Sequence, residues 1–304
     1  MSGAATGRRC LACGAVEPVA ANGPVWPPGR PCPACRHVAA QLDGIPMFAP
    51  DLADTVSGMD PRHFEALSKV ETEHFWFVAR NELIVGLADR FFPAARSFLE
   101  IGCGNGAVLR AIAASRPWQR LVGSELHPSG LAFARQRLGS AAEFVQMDAR
   151  NIPASAVFDL TGAFDVIEHI ADDEAVLRGL RSATQTGGGT IIAVPQHPWL
   201  WSRTDEVAFH QRRYRRGELE AKLRRNGFEI LFSSSYSALL LPLMMASRAM
   251  GKGKQDSEGV NREFALDRRT NGLLTRILRA EVRMTLAGMS WPAGGSRVVV
   301  GRAI

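Results

Sequence analysis

The chain has 304 residues, 46% of them hydrophobic and 22% charged, with a formal net charge of +6. That composition excludes disordered, collagenous and coiled-coil chains and leaves room for one large domain or two smaller ones. The longest apolar stretch, Tyr236 to Ser247, is about twelve residues and contains Pro242, well short of the roughly twenty that a membrane span needs. The first thirty residues lack the apolar core of a signal peptide, so a cytoplasmic protein is expected. Arginine carries nearly all the positive charge, the lysines being Lys69, Lys222, Lys252 and Lys254. A mild basic excess fits phosphorylated ligands, RNA or an anionic membrane surface, and selects none of them.

Four of the five cysteines fall within the first 35 residues as two pairs, Cys10-Leu-Ala-Cys13 and Cys32-Pro-Ala-Cys35. A two-residue gap lets both thiolates of a pair address one ion from a tight turn, and eighteen residues between the pairs is the spacing of a four-cysteine zinc site. Gly14 eases the first turn, and Gly and Pro crowd the loop between the pairs. Two disulfides in a secreted domain are the other reading, which a cytosolic core disfavours. Four thiolates close the coordination shell, so the expected Zn2+ is structural and residues 1–50 are expected to form a zinc ribbon.

Asp43-Gly44-Ile45-Pro46 reads as a turn and 50–60 as a linker. From Pro61 to Phe92 the pattern is helical, in two segments that break near Glu73 or Phe92-Pro93, so 51–95 is expected to be linker and helical cap. The centre of this region is Phe75-Trp76-Phe77. Successive helical residues point about 100° apart, so at least one of the three should face a ligand, a lid or another element. Packing of Phe75 and Trp76 against the neighbouring domain is the alternative.

A nucleotide-type core follows. Ser97-Phe-Leu-Glu100-Ile101 is a short strand running into Gly102-Cys-Gly104-Asn-Gly106, and Ala107 onward reads as a helix. A strand, a glycine turn and a helix open a cofactor-binding doubly wound fold. The same glycines also satisfy a dinucleotide pattern. Glu100 separates the two readings, because a carboxylate beside the turn would repel a pyrophosphate and suits a cationic ligand. Further strands end at Glu125, at Asp148 and at Phe164-Asp165, and a fifth, Thr190 to Pro195, follows the turn Gly187-Gly-Gly189. Strands at this spacing with helices between them mean a parallel α/β sheet.

Phe-Leu-Glu-Ile-Gly-Cys-Gly-Asn-Gly at 98–106, the acids at 125 and 148, and Asp-Val-Ile-Glu-His-Ile at 165–170 together resemble a class I S-adenosylmethionine-dependent methyltransferase of the bacterial type 11/12-like kind. The resemblance covers about 96–236 and the last strand, Ser296 to Ile304. It implies a doubly wound Rossmann-like methyltransferase sheet over 96–304, with a helical cap insertion at about 237–290. It further implies that Glu100, Gly102, Gly104 and Gly106 hold the methionine part of S-adenosylmethionine and that Glu125, with Leu126, takes the ribose. Asp148 and Ala149 would meet the adenine, and Phe164 would line the methyl-donor pocket. The ribose acid is Glu here, where the family more often has Asp.

Methyl transfer is an in-line displacement, and a hydroxyl acceptor must lose its proton. His169 follows the strand ending at Phe164 and is one candidate base, with capping of the next helix as its alternative. A second cluster, His197-Pro-Trp199-Leu-Trp201 through Asp205 to Phe209-His210-Gln-Arg212-Arg213-Tyr214, resembles a bacterial subset acting in natural-product and cell-surface pathways. There His210 and Tyr214 would reach the acceptor, and Arg212 or Arg213 could clamp a phosphate or carboxylate. The segment closes in an amphipathic helix capped by Gly227. The apolar start of the 237–290 insertion could meet a lipidic substrate or touch a membrane surface, or simply pack as a buried helix. The expected function is methyl transfer to a small-molecule acceptor. A zinc-ribbon rRNA methyltransferase is the runner-up, although residues 1–40 carry only four arginines against Glu17, and a cofactor-binding adaptor without turnover is the third reading.

Overall fold

The computed structural model describes residues 5–20, 23–55, 63–251 and 266–304. Linker residues 56–60 and the first expected charged-helix residues, 262–265, lie outside them. In the N-terminal module, β1 (Gly7–Arg9) pairs antiparallel with β2 (Val16–Glu17), and β3 (Ala40–Leu42) forms a hairpin with β4 (Ile45–Met47). Asp43 and Gly44 at that hairpin turn have φ of 50° and 78°. Asp-Gly supplies this pair of left-handed conformations, which matches the twist of the two strands.

Two helices follow, α1 (His63–Val70) and α2 (Phe75–Phe91), so the break falls at Glu73, the first of the two expected places, with the His74 side chain capping α2 by accepting from Trp76 N–H. Leu83, Ile84, Leu87 and Ala88 of α2 are buried at helical spacing. From β5 (Ser97–Ile101) the chain alternates: α3 (Ala107–Ser115), β6 (Arg120–Glu125), α4 (Pro128–Leu138), β7 (Glu143–Gln146), a short β8 (Ala154–Ser155), β9 (Phe158–Phe164) and α5 (Asp173–Ala183). Then come β10 (Thr184–Pro195), α6 (Arg203–Val207), α7 (Glu218–Arg225), β11 (Phe228–Tyr236), α8 (Leu241–Gly251), α9 (Arg268–Leu286) and β12 (Ser296–Ala303).

Nine of the twelve strands form one sheet in the order β11-β12-β10-β9-β5-β6-β7-β4-β3, and the other three form a small sheet in the order β2-β1-β8. In the larger sheet β12 runs antiparallel to both of its neighbours and β3 antiparallel to β4, while the other pairs are parallel. Alternate side chains of each strand enter opposite layers. Phe98, Ile191, Ala193, Val298 and Val300 pack with α2, α3, α4 and α9. Leu99, Ile101, Ile192, Val194 and Val299 pack with α5 and α7. This is the doubly wound α/β architecture that the sequence implies.

The N-terminal module is sewn into that sheet. β4 extends it through a parallel bridge from Met47 to Gln146, and β1 pairs with β8. Trp26 is buried, its indole N–H donating to Pro153 O at 3.0 Å, and Val25 N–H donates to Glu143 at 2.8 Å.

Two expectations change. Gly187 to Gly189 lie inside β10 and do not precede it. A Cβ on Gly189 would sit 1.9 Å from the Phe92 ring and one on Gly188 2.5 Å from Asp159 O, so these glycines serve close approach. The described residues of 237–290 contribute nothing to the main cleft. Instead α9 lies along α2, where Asn271 Oδ1 accepts from Phe75 N–H, Arg279 pairs with Glu82, and a Cβ on Gly86 would strike Leu286.

Tyr214 also departs from its expected role. It is fully buried against the α5–α7 layer and donates its hydroxyl to Asp173 Oδ2 at 2.6 Å, so it does not reach the cleft. Lys222 and Arg212 share the same carboxylate. Tyr214→Phe should therefore cost about 1.5–3 kcal/mol of stability, the worth of a hydrogen bond to a charged group, while ligand affinity stays unchanged. Thermal unfolding checks the first half and calorimetric titration the second.

Candidate active site

The glycine turn sits at the carboxyl edge of β5. Gly102, Gly104 and Gly106 have φ of 66°, 50° and 73°, where any L side chain is strained. A Cβ on Gly102 would also lie 2.5 Å from Val166. Cys103 N–H donates to Ser124 O at 2.8 Å and ties the turn to β6. Gly106 caps α3 and does not line the cleft.

Glu125 closes the turn from the end of β6. One carboxylate oxygen accepts from Gly104 N–H at 3.0 Å, and the other from Leu126 and His127 N–H at 2.7 and 3.2 Å. Glu100 is 2% exposed, and its Oε2 has no hydrogen-bond partner. Burial pushes its carboxyl well up; Arg80 pulls against that rise, and the nearby Glu71 and Glu125 add to it. Asp148 meets Arg150 within its own loop, Nε to carboxylate at 2.9 Å.

These residues edge a cleft of about 430 Å³, which Leu126, Ala149 and Phe164 also line; small-molecule sites have that scale. Its cover is α1, through Phe64 and Leu67, with Glu71 just after the helix. Asn105 holds α1 down by donating to Phe64 O at 2.8 Å, and Arg137 pairs with Glu71 at 3.0 Å. The aromatic run divides as helical geometry requires. Trp76 and Phe77 line the cleft, and Phe75 packs against His74, the rings tilted by 41° with centroids 4.5 Å apart. Arg80 lies 4.7 Å from the Trp76 ring centroid and pairs with Asp165 at 2.6 Å.

The opposite end of the cleft brings His169 and His210 together, their ring centroids 4.7 Å apart and edge to face. His169 ends the 3-10 turn Ile167–His169 after β9, and His210 follows α6. Gln211 N–H donates to Glu168 O at 2.8 Å and joins the two loops. His210 Nδ1 lies 2.9 Å from Asp205 Oδ1, and Arg213 Nε 2.6 Å from the same oxygen. Arg212 bonds Ala171 O and Asp173, so neither arginine is free to clamp an anion. The sequence reading missed Glu71, Arg80 and Asp165 as parts of the cleft. Asp165 carried a signal, since it stands within the motif that includes His169.

The four N-terminal cysteines form a second cluster. Their Sγ atoms lie within 4.8 Å of one another, Cys10 to Cys35 at 3.7 Å and Cys13 to Cys32 at 3.8 Å. All are free thiols, and a tetrahedron with Zn–S arms of about 2.3 Å has edges of roughly 3.8 Å. Gly14 (φ 76°) and Arg36 (φ 63°) turn the two knuckles. Cys103 is buried in the glycine turn, away from this cluster.

Comparison with known proteins agrees with the geometry. Residues 99–190 match a family model described as a methyltransferase domain. A biotin biosynthesis bifunctional protein, BioCD, of Bordetella avium is 30% identical over 138 residues, covering 43% of this chain and 29% of its own length. Trans-aconitate 2-methyltransferase of an Acidovorax species is 28% identical over 105 residues, covering 34% of this chain and 40% of its own. The chain thus matches well under half the length of these relatives. Among solved structures, Haemonchus contortus phosphoethanolamine N-methyltransferase 2 with S-adenosyl-L-methionine superposes with a TM-score of 0.55 at 16% identity, covering 83% of this chain and 59% of that one. A geranyl diphosphate methyltransferase superposes with a TM-score of 0.51 at 13% identity, covering 75% and 78%. The fold is thus the Rossmann-like one of these structures, and over residues 99–190, which carry the glycine turn, the chain is similar to a methyltransferase domain.

Proposed function

We propose that the chain is a class I S-adenosylmethionine-dependent methyltransferase acting on a small-molecule acceptor. The observation that carries this reading is Glu100, a buried carboxyl with an unpartnered oxygen facing the glycine turn. Such a group lacks a donor, and the ammonium of the methionine moiety would supply one. A dinucleotide would bring a pyrophosphate to that carboxyl instead. Gly102 and Gly104 would let the ligand approach the backbone, Glu125 and Leu126 would meet the ribose, and Asp148 with Ala149 the adenine. The bound cofactor contributes a sulfonium methyl group as electrophile. The chain's part is to hold it at the carboxyl edge of β5, β6 and β9, shield it beneath α1, and leave the histidine end for the acceptor.

Cys10, Cys13, Cys32 and Cys35 would hold one structural Zn2+, since four thiolates complete a closed shell. The module's charge argues against RNA as the acceptor. Arg8 and Arg30 both pair with Glu17 and Arg9 donates to Ile152 O, so most of its arginines are spent internally. Among the described residues no helix is long and apolar enough to cross a membrane. A cell-surface or natural-product pathway and a cytoplasmic location complete the proposal.

S-Adenosylhomocysteine should bind in calorimetry and NAD should not; the reverse result would sink the reading. Glu125→Ala should weaken binding by about 1–3 kcal/mol, because it removes the ribose acceptor and leaves three backbone N–H groups unsatisfied. Elemental analysis of fresh protein should give one zinc per chain, and Cys32→Ser should lower both the zinc content and the unfolding temperature. Zinc-free protein that is equally stable would refute the metal assignment.

A further inference from the structure

The acceptor end holds an asymmetry that separates the two histidines. Asp205 is fully buried and bonds His210 Nδ1 at 2.9 Å, Arg213 Nε at 2.6 Å and Ser202 N–H at 2.8 Å. Burial opposes ionisation of this carboxyl, but the His210 hydrogen bond and the Arg213 guanidinium outweigh it and hold the group well below the usual carboxylate range. A carboxylate only accepts, so the neutral His210 ring carries its proton on Nδ1 and keeps its lone pair on Nε2. Among the described residues no group hydrogen-bonds to that lone pair. Its nearest carboxyl, Glu168, is 3.9 Å away, beyond hydrogen-bond reach. His169 has no comparable support. Burial and the neighbouring His210 push it down to about 3, so it stays neutral and resists taking up a second proton at neutral pH.

Acceptor chemistry follows from what such a base is for. Carboxylates and thiolates arrive deprotonated and gain little from it. An ammonium would need an ionised, unpaired carboxylate lining this end. Asp165 lines it but is already paired with Arg80 at 2.6 Å. Glu168, though unpartnered, lies behind the lining and is pushed toward its neutral form by burial. A hydroxyl both needs the base and tolerates these surroundings. We propose that His210, its tautomer fixed by Asp205 as positioning residue, is the general base for a hydroxyl acceptor, and that the product is a methyl ether. The acceptor O–H proton passes to His210 Nε2, the oxygen bonds the methyl carbon, and the carbon–sulfur electron pair remains on sulfur. The imidazolium that forms faces the Asp205 carboxylate, as in other carboxylate–histidine pairs.

This inference rests on the cofactor reading of the same cleft, and S-adenosylhomocysteine binding tests that reading separately. Side-chain nitrogen NMR of the full-length protein, with His210 assigned through His210→Ala, reads the tautomer without any acceptor. The wild type should show the Nδ1–H form, and Asp205→Asn should move His210 toward the Nε2–H form. Asp205 also anchors Arg213 and Ser202, so His210→Gln serves as a second variant that leaves those bonds in place. Labelled methyl transfer should be followed with phenols, alcohols and hydroxy acids against matched carboxylic acids, thiols and amines. Turnover is expected on the hydroxyl compounds, falling roughly 10²–10⁴-fold in His210→Ala with KM for S-adenosylmethionine nearly unchanged. An Nε2–H tautomer in the wild type would overturn the proposal. So would transfer confined to acids, thiols or amines, or His210→Ala turnover within about threefold of wild type.

Discussion

Three backbone N–H groups, those of Gly104, Leu126 and His127, converge on the carboxylate of Glu125. That convergence fixes the carboxyl edge of the sheet. A carboxylate accepting several backbone hydrogen bonds is held in one orientation, and here it clamps the glycine turn after β5 to the first residues after β6. α3 starts from Gly106 at the end of that turn, and Asn105 inside it holds α1 over the cleft. The floor, the rim and the cover of the site therefore share one local anchor.

Around this anchor the buried charges are mostly matched. Arg80 faces Asp165, Arg137 faces Glu71, Arg213 faces Asp205 and Arg297 faces Glu220, each with both side chains largely out of solvent. Breaking such a pair strands a charge in low dielectric, which is costly, so these pairs lock neighbouring loops together. Two carboxyls beside the cleft have neither a cation nor a full set of hydrogen bonds. Glu100 at the glycine turn and Glu168 behind the histidines are almost fully buried, have unpartnered oxygens, and are pushed well up by burial. The unmatched acids thus fall at the two ends of the cleft, where ligand chemistry is expected.

The N-terminal module shows how a small unit without much core of its own acquires stability. Its two hairpins are short, and residues 40–42 are exposed. Val25 and Trp26 lend it an apolar anchor in the α5–α7 layer, and backbone pairing to β7 and β8 does the rest. Joined in this way, the cysteine cluster cannot be treated as a bead on a string. Loss of the cluster would be felt at the sheet edge beside β7.

The local grammar of this chain was legible without coordinates. The glycine turn, the strand-end acids at 125 and 148, the paired cysteines and the break between α1 and α2 are short-range patterns, in which residue type and spacing alone restrict the backbone. Close approaches and partner choice are different, because they depend on what another part of the chain brings alongside. Nothing near Gly187-Gly-Gly189 reveals that Phe92 packs on it, so a run that reads as a turn is part of β10. Tyr214 stands four residues from His210, yet the isolated bridge between Gln196 and Tyr214 turns its ring into the core while His210 faces the cleft. Asp205 and His210 were both visible as residues, but only the turn after α6 brings carboxylate and imidazole to 2.9 Å. Sequence determined which chemical groups were present and which local turns they could make. Tertiary packing decided which groups lost their water, which found a partner, and which were left open to a ligand.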